Sequence, residues 1–196
     1  MKSLSKKLKT TIAYARNLFV TGAISKTSRR VEIEICRHIP RDEDVVVVEF
    51  GMGHGNITQE ILNTISPNSR LYAFEVNEEF CAHVRDTIRD ERLIIINDGA
   101  EDMTKHIDQE IDIVIASIPF SFFSKEKSRK IIQDAYDTLK EGRYFSQVLY
   151  TKFNYRKFTA VFDECELMKL PNIPPEFIYH CRKITIPASS HQTSER

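Results

Sequence analysis

No acidic residue occurs before Glu32. Up to that point Lys2, Lys6, Lys7, Lys9, Arg16, Lys26, Arg29 and Arg30 supply eight positive charges, so in a chain of zero formal net charge the remainder carries a matching negative excess. A basic arm on an acidic body implies an anionic partner, either a membrane surface or a nucleic acid. No apolar run approaches the ~20 residues needed to span a bilayer. The N-terminus also lacks a signal-peptide core, so a cytoplasmic protein is expected, at most peripheral on the inner face of the cell membrane. Cys36, Cys81, Cys165 and Cys181 lie far apart and form no C-x-x-C pair. That leaves no evident zinc site or disulfide framework and fits free thiols in a reducing compartment. The scattered histidines form no metal constellation. Internal repeats and an interdomain linker are absent too, and 196 residues suffice for one α/β core with an appended element or two.

What the chain does contain is Val45-Val46-Val47-Val48-Glu49-Phe50-Gly51-Met52-Gly53-His54-Gly55-Asn56-Ile57. The valine run reads as a strand buried on both faces, as in a parallel sheet. Three glycines then allow a tight turn, and Ile57, Ile61, Leu62 and Ile65 open a helical pattern. Strand, glycine turn and helix N-terminus make a nucleotide-sized site, because backbone can approach a ligand there and free N–H groups face it. The spacing is G-x-G-x-G behind an acid, unlike the G-x-G-x-x-G of dinucleotide sites. A carboxylate in that place suits a ligand carrying an ammonium group better than a pyrophosphate. A glycine turn in some other doubly wound protein is the alternative.

The rest of the chain alternates strand and helix. Leu4, Leu8, Ile12, Ala15 and Phe19 form one apolar face of an N-terminal helix whose other sides are basic. It either lies on anionic lipid or packs on the core with a solvated basic face. Ser28 or Thr27 caps a segment reaching His38, although Val31–Ile35 alternates like a strand; Pro40 ends it. Strands are expected at Leu71–Glu75, Leu93–Asn97, Ile111–Ser117 and Tyr144–Tyr150. Asn77 should cap a helix carrying Phe80, Val84 and Ile88 on one face. A helix over Lys125–Glu141 turns Ile131, Ile132, Ala135 and Leu139 inward and stops at Gly142. Beyond it come a helix over Asn154–Asp163, a strand over Cys165–Leu170, another over Phe177–Ile186, and a disordered tail. The organisation is a basic arm over residues 1–30, an α/β domain over 31–186 and the tail over 187–196. Such βα alternation gives a mostly parallel sheet, with its ligand at the carboxyl ends of the strands.

Three acids fall at those ends: Glu49, Glu75 and Asp98. Glu75 lies 20 residues beyond Gly55, where a carboxylate can accept from both ribose hydroxyls. A lone acid after a strand is usually a helix cap, but three in register with a glycine loop argue for a nucleoside ligand. This set resembles the class I S-adenosylmethionine (SAM) methyltransferases, which implies a Rossmann-like fold with a seven-stranded sheet. The resemblance implies that Glu49 faces the methionyl end of SAM and that Gly51, Gly53 and Gly55 floor the pocket. It further implies that Asp98, in Asn97-Asp98-Gly99-Ala100, accepts from the adenine amino group, with Ala100 and Ser117 completing the cofactor site.

The fourth strand ends Ala116-Ser117-Ile118-Pro119-Phe120-Ser121-Phe122-Phe123, the corner that in these enzymes receives the nucleophile. Adenine N6-methyltransferases, the rRNA adenine dimethylases among them, carry Asn or Asp where this chain has Ser117. A hydroxyl does not imitate that amide. From the basic helix through Phe19…Gly22-Ala23-Ile24…Ser28 and the glycine loop to Ser117-Ile118-Pro119-Phe120, the chain resembles the soluble bacterial phospholipid N-methyltransferases. Lys26 departs from that family's proline, and Phe145–Tyr150 follows its fifth strand only loosely. The resemblance implies methyl transfer from SAM to the amine of a phospholipid head group at an anionic membrane surface. Ser117, Phe120, Tyr150 and Tyr14 are the candidate catalytic residues, with His54 a further hydrogen-bond partner. Phe120, Phe122 and Phe123 either line an acyl or head-group pocket or, as is usual for aromatic residues, pack in the core. Two other readings stay open: an RNA or DNA adenine methyltransferase whose basic arm contacts phosphates, and a non-catalytic SAM-fold protein that binds lipid or a partner.

Overall fold

The structure, a computed structural model, describes residues 28–171 and 175–184. The N-terminal amphipathic helix, Tyr14 and the tail lie outside the described residues. Helix α1 (Arg29–Ile35) opens the described part, with Ser28 as its N-cap accepting from the Val31 backbone N–H. The ambiguity over Val31–Ile35 resolves as helix because Val31 and Ile35, four apart, are both fully buried while Ile33 is half exposed. Arg29, counted with the basic arm by charge, belongs to this helix and pairs with Glu60 and Glu32.

Alternation then follows: β1 (Val46–Phe50), α2 (Asn56–Thr64), β2 (Arg70–Phe74), α3 (Glu78–Thr87), β3 (Leu93–Ile96), a 3-10 turn (Ala100–Asp102), α4 (Met103–His106) and β4 (Ile111–Ala116). Next come α5 (Lys125–Thr138), β5 (Leu139–Leu149), α6 (Tyr155–Phe158), β6 (Glu164–Leu170) and β7 (Glu176–Arg182). The strands form one seven-stranded sheet in the order β3-β2-β1-β4-β5-β7-β6. Strands β1 to β5 pair in parallel and β7 runs antiparallel to both neighbours, which is the Rossmann-like class I methyltransferase arrangement. Alternate side chains divide the core between two faces. Val48, Phe50, Val114, Ala116 and Phe145 join Ile131, Ile132 and Ala135 of α5 on one side. Val47, Ile113, Ile115 and Val148 join α1 and the apolar stripe of α2 on the other. Strand order reverses at β1, between β2 and β4, so the loop leaving β1 sits at the topological switch point.

Two expectations need correction. The helix expected over Lys125–Glu141 ends at Thr138, and Leu139, although buried, already opens β5. Its last carbonyls are satisfied by Lys183, whose Nζ donates to the Tyr136 and Leu139 oxygens, so no glycine stop is needed. Gly142 instead serves a bulge: β4 advances from Ile111 to Ile113 while its partner advances from Leu139 to Tyr144, and Gly142 takes φ +77 there. The bulge carries Lys140 onto the buried Asp112, which also accepts from the Val46 N–H. The helix expected over Asn154–Asp163 is a single turn, Tyr155–Phe158, continued by turns that place Phe158 and Phe162 in the core.

Candidate active site

All three loop glycines adopt positive φ, but for different reasons. A Cβ on Gly51 would lie 2.9 Å from Ile118 Cγ2, and one on Gly55 2.9 Å from Ile88 Cδ1 and 3.2 Å from Val84 Cγ2. Those two are glycine because β4's corner and α3 pack against the backbone. Only Gly53 faces open space, with nothing within 4 Å of where its Cβ would stand. The floor that sequence assigns to three glycines therefore has one open tile, and it is the one a ligand would cover. Gly51 and Met52 donate to the Phe74 carbonyl at 2.8 and 3.3 Å, pinning the loop to the end of β2.

The contrast is testable. Gly53→Ala adds αL strain of ~1 kcal/mol to the fold but fills the open space, so SAM binding should fall with little change in the denaturation midpoint. Gly55→Ala should do the opposite, losing ~2–4 kcal/mol of stability to strain and overpacking against α3. Paired calorimetric and denaturant titrations would show the separation; equal stability loss in both variants would contradict it.

The three acids differ in what they bond to. Glu75 is the hub: one carboxylate oxygen accepts from the Gly53 N–H at 3.1 Å and the other from the Asn77 N–H at 2.9 Å. Asn77 caps α3 through the Glu79 N–H, as its position implies. Asp98 accepts from the Gly99 N–H at 2.8 Å and pairs with His106 Nε2 at 2.8 Å. These bonds, the histidine's foremost, hold its carboxyl below the usual range. Ala100 is buried at the start of the 3-10 turn.

Glu49 sits inside the protein. It is 1 % exposed and points to the face covered by α2, where Thr58 Oγ1 donates to Oε2 at 2.7 Å. Its Oε1 is buried without a partner, and burial, with the Glu75 charge adding to it, pushes the carboxyl up to about 8. A buried carboxylate with one oxygen unmatched is what a cationic N–H donor completes. The open tile at Gly53 and this orphan oxygen both fit SAM, whose amino-acid end carries an ammonium group. Thr58 and Val76 escape sequence reading. Val76, next to Glu75, is 72 % exposed, apolar surface suited to a purine face. Its only signal is a valine following a strand-end acid.

The acceptor corner is knitted to the loop. Ser117 Oγ donates to the Gly51 carbonyl at 2.6 Å, and its N–H to the Phe50 carbonyl at 2.9 Å. Phe120 is wholly buried, edge-on to Phe123 and Phe158. It packs the wall behind the corner, which is the core alternative of its two readings, and its side chain offers an acceptor no exposed surface. Phe122 and Phe123 remain partly exposed. Tyr150 stands half-buried at the end of β5, and burial, with Glu176 nearby, pushes its phenol up to about 12. His54 lies edge-on to Phe80 and His83 on the outer side of the loop. The residue missed here is Gln147. Fully buried, its Nε2 donates to the Ile118 and Val148 carbonyls at 3.1 and 2.7 Å, bracing the corner from β5. A lone amide within the apolar run Tyr144–Tyr150 was the available signal.

Comparison with known proteins finds similarity to methyltransferases. Residues 47–142 match the family described as "Methyltransferase domain". Over 155 residues the chain is 28 % identical to an ornithine lipid N-methyltransferase of Singulisphaera acidiphila, covering 76 % of this chain and 81 % of that protein. The fold is similar to that of N-methyltransferase NodS from Bradyrhizobium japonicum in complex with S-adenosyl-L-homocysteine, with a TM-score of 0.67 and 13 % identity over 79 % of this chain and 86 % of the other. It is likewise similar to an rRNA methylase from Streptococcus thermophilus, with a TM-score of 0.64 and 20 % identity over 83 % and 99 % of the two chains.

Proposed function

We propose that this chain, a class I SAM-dependent methyltransferase, transfers methyl groups to the amine of a membrane lipid head group, a phospholipid foremost. The observation that carries the acceptor class is Ser117. Its hydroxyl proton is committed to the Gly51 carbonyl, so the corner presents no amide to grip an adenine amino group. The likeness to an ornithine lipid N-methyltransferase supports an amine on a lipid as the acceptor.

Bound SAM supplies an electrophilic methyl on a sulfonium, open to in-line attack by an amine lone pair. The protein's part is to position and to desolvate. Glu75 offers its carboxylate to the ribose hydroxyls, Glu49 its unmatched oxygen to the ammonium, Asp98 its remaining lone pairs to the adenine amino group, and Val76 its apolar face to the ring. Ser117, fixed by its own donated bond, keeps lone pairs for an amine N–H. Ile118 and Pro119 exclude water around it, braced by Gln147.

The attacking amine must be neutral. Tyr150, at about 12, is a protonated phenol at neutral pH and acts as a hydrogen-bond partner rather than a base. The proton is therefore lost to solvent before attack. With an alkyl amine titrating near the lysine value of about 10, kcat/KM for the lipid amine, measured with SAM saturating at every pH, should rise roughly tenfold per pH unit between pH 6 and 8. A flat profile across that range would require a protein base.

Ser117→Asn tests the acceptor. It should lower or abolish lipid methylation and create none on RNA, because the added bulk meets the Gly51 backbone. Acquisition of RNA adenine methylation by the variant would overturn the lipid reading in favour of the nucleic-acid one.

A further inference from the structure

The loop that follows β5 is built in a way the methyl-transfer chemistry does not require. Phe153 is 88 % exposed, the most exposed of the large apolar side chains among the described residues. Lys152 and Arg156 beside it are exposed too. The backbone beneath is nonetheless tied down. The buried Asn154 donates from Nδ2 to Ser121 Oγ at 2.8 Å, and Lys157 Nζ donates to the Phe120 carbonyl at 2.7 Å. Tyr179 donates its hydroxyl proton to the Thr151 carbonyl, and the Phe153 N–H donates to Thr151 Oγ1 at 3.2 Å. Two of these bonds end on the acceptor corner itself. The phenyl ring is thus held out into water by a braced turn at the carboxyl end of β5, joined to the segment that follows β4.

A single exposed apolar residue is ordinary on a protein surface. Three features together are not: the braced turn, the two flanking cations, and the junction with the partly exposed Phe122 and Phe123 across the Asn154–Ser121 bond. We infer that the Phe153 turn is a lipid-surface contact, its ring entering the head-group boundary of an anionic bilayer while Lys152 and Arg156 meet the lipid charges. The inference rests on the lipid-amine reading. A lipid amine must reach the corner while its acyl chains stay in the bilayer, so whatever borders the corner has to meet the membrane. An apolar ring between two cations combines insertion with charge attraction, and neither alone holds a protein to a membrane.

The chain contains no tryptophan. Phe153→Trp in the full chain is therefore a clean reporter. Its emission should shift to the blue on adding vesicles of phosphatidylglycerol and phosphatidylethanolamine, and return as salt screens the cations over a Debye length of about 8–10 Å. No shift, an emission already blue without vesicles because residues 1–27 cover the ring, or a shift with RNA and none with vesicles would each overturn the inference. Phe153→Ser should reduce methylation of amine lipid in those vesicles by about tenfold or more. On a short-chain amine lipid kept monomeric it should stay within about twofold of the unsubstituted protein. Equal loss on both would make the ring a structural residue and overturn the inference. Absence of methylation of either lipid by the unsubstituted chain would instead sink the functional reading, and the tryptophan signal reports separately from turnover.

Discussion

Glu75→Ala is expected to weaken SAM binding by roughly 30- to 1,000-fold, an estimate that starts from two charge-assisted hydrogen bonds of ~1.5–3 kcal/mol each and allows for partial replacement by water. The same carboxylate accepts from the Gly53 and Asn77 N–H groups, so it holds the glycine loop to the start of α3. Its loss should therefore also cost ~1–2 kcal/mol of stability. Glu75→Gln separates the two roles. An amide oxygen still accepts one bond from ribose or loop, but the charge assistance is gone, so affinity should fall less than in the alanine variant. Calorimetry showing unchanged affinity in Glu75→Ala would remove the ribose assignment.

The second large effect belongs to Glu49 and is linked to pH. Burial raises its carboxyl to about 8 from an ordinary value near 4.5. The folded protein then holds a proton between those values that the unfolded chain has released. Stability from this group is complete below about 4.5, declines as pH rises toward 8, and is gone above that. Glu49→Gln keeps a neutral group in the same space with an acceptor for Thr58. The variant should be more stable than the parent at pH 8 to 9, by a few kcal/mol, and should lose the parent's decline over that window. It should also bind SAM more weakly, because the orphan oxygen meets the ammonium best as a carboxylate. In the parent near pH 7, binding should release a proton, seen as a calorimetric enthalpy that varies with the buffer's ionisation enthalpy. Identical stability profiles for parent and variant would place the Glu49 carboxylate in contact with water. Buffer-independent enthalpy would remove it from the ligand's ammonium end.

The sheet and the carboxyl edge of its strands were legible because their signals are local and repeated. Val45–Phe50 could only be a doubly buried strand, and acids at successive strand ends mark the carboxyl edge whatever the loops do. Boundaries set by distant partners were not legible. Nothing near Leu139 in sequence announces that Lys183 caps α5, so Gly142 offered itself as the stop and proved to belong to a bulge built around Asp112. Phe120 shows the same limit. A phenylalanine in an acceptor motif reads either as pocket lining or as core, and only the packing of Phe123 and Phe158 around it decides between the two. The three glycines look equivalent in sequence because all need positive φ, while the packing of Ile118 and Ile88 distinguishes those that fit neighbours from the one that faces open space. Glu49 was placed on the right strand end, but its burial and its bond to Thr58 depend on how α2 lies across the sheet.

The most direct test of the account is a product measurement. Full-length protein is incubated with methyl-labelled SAM and a mixture of anionic vesicles containing an amine lipid and purified ribosomal RNA, and both fractions are recovered and analysed by mass spectrometry. Label is predicted on the head-group nitrogen of the lipid, with S-adenosylhomocysteine released in equal amount and the RNA unlabelled. Label on RNA adenine with unmodified lipid would contradict the account.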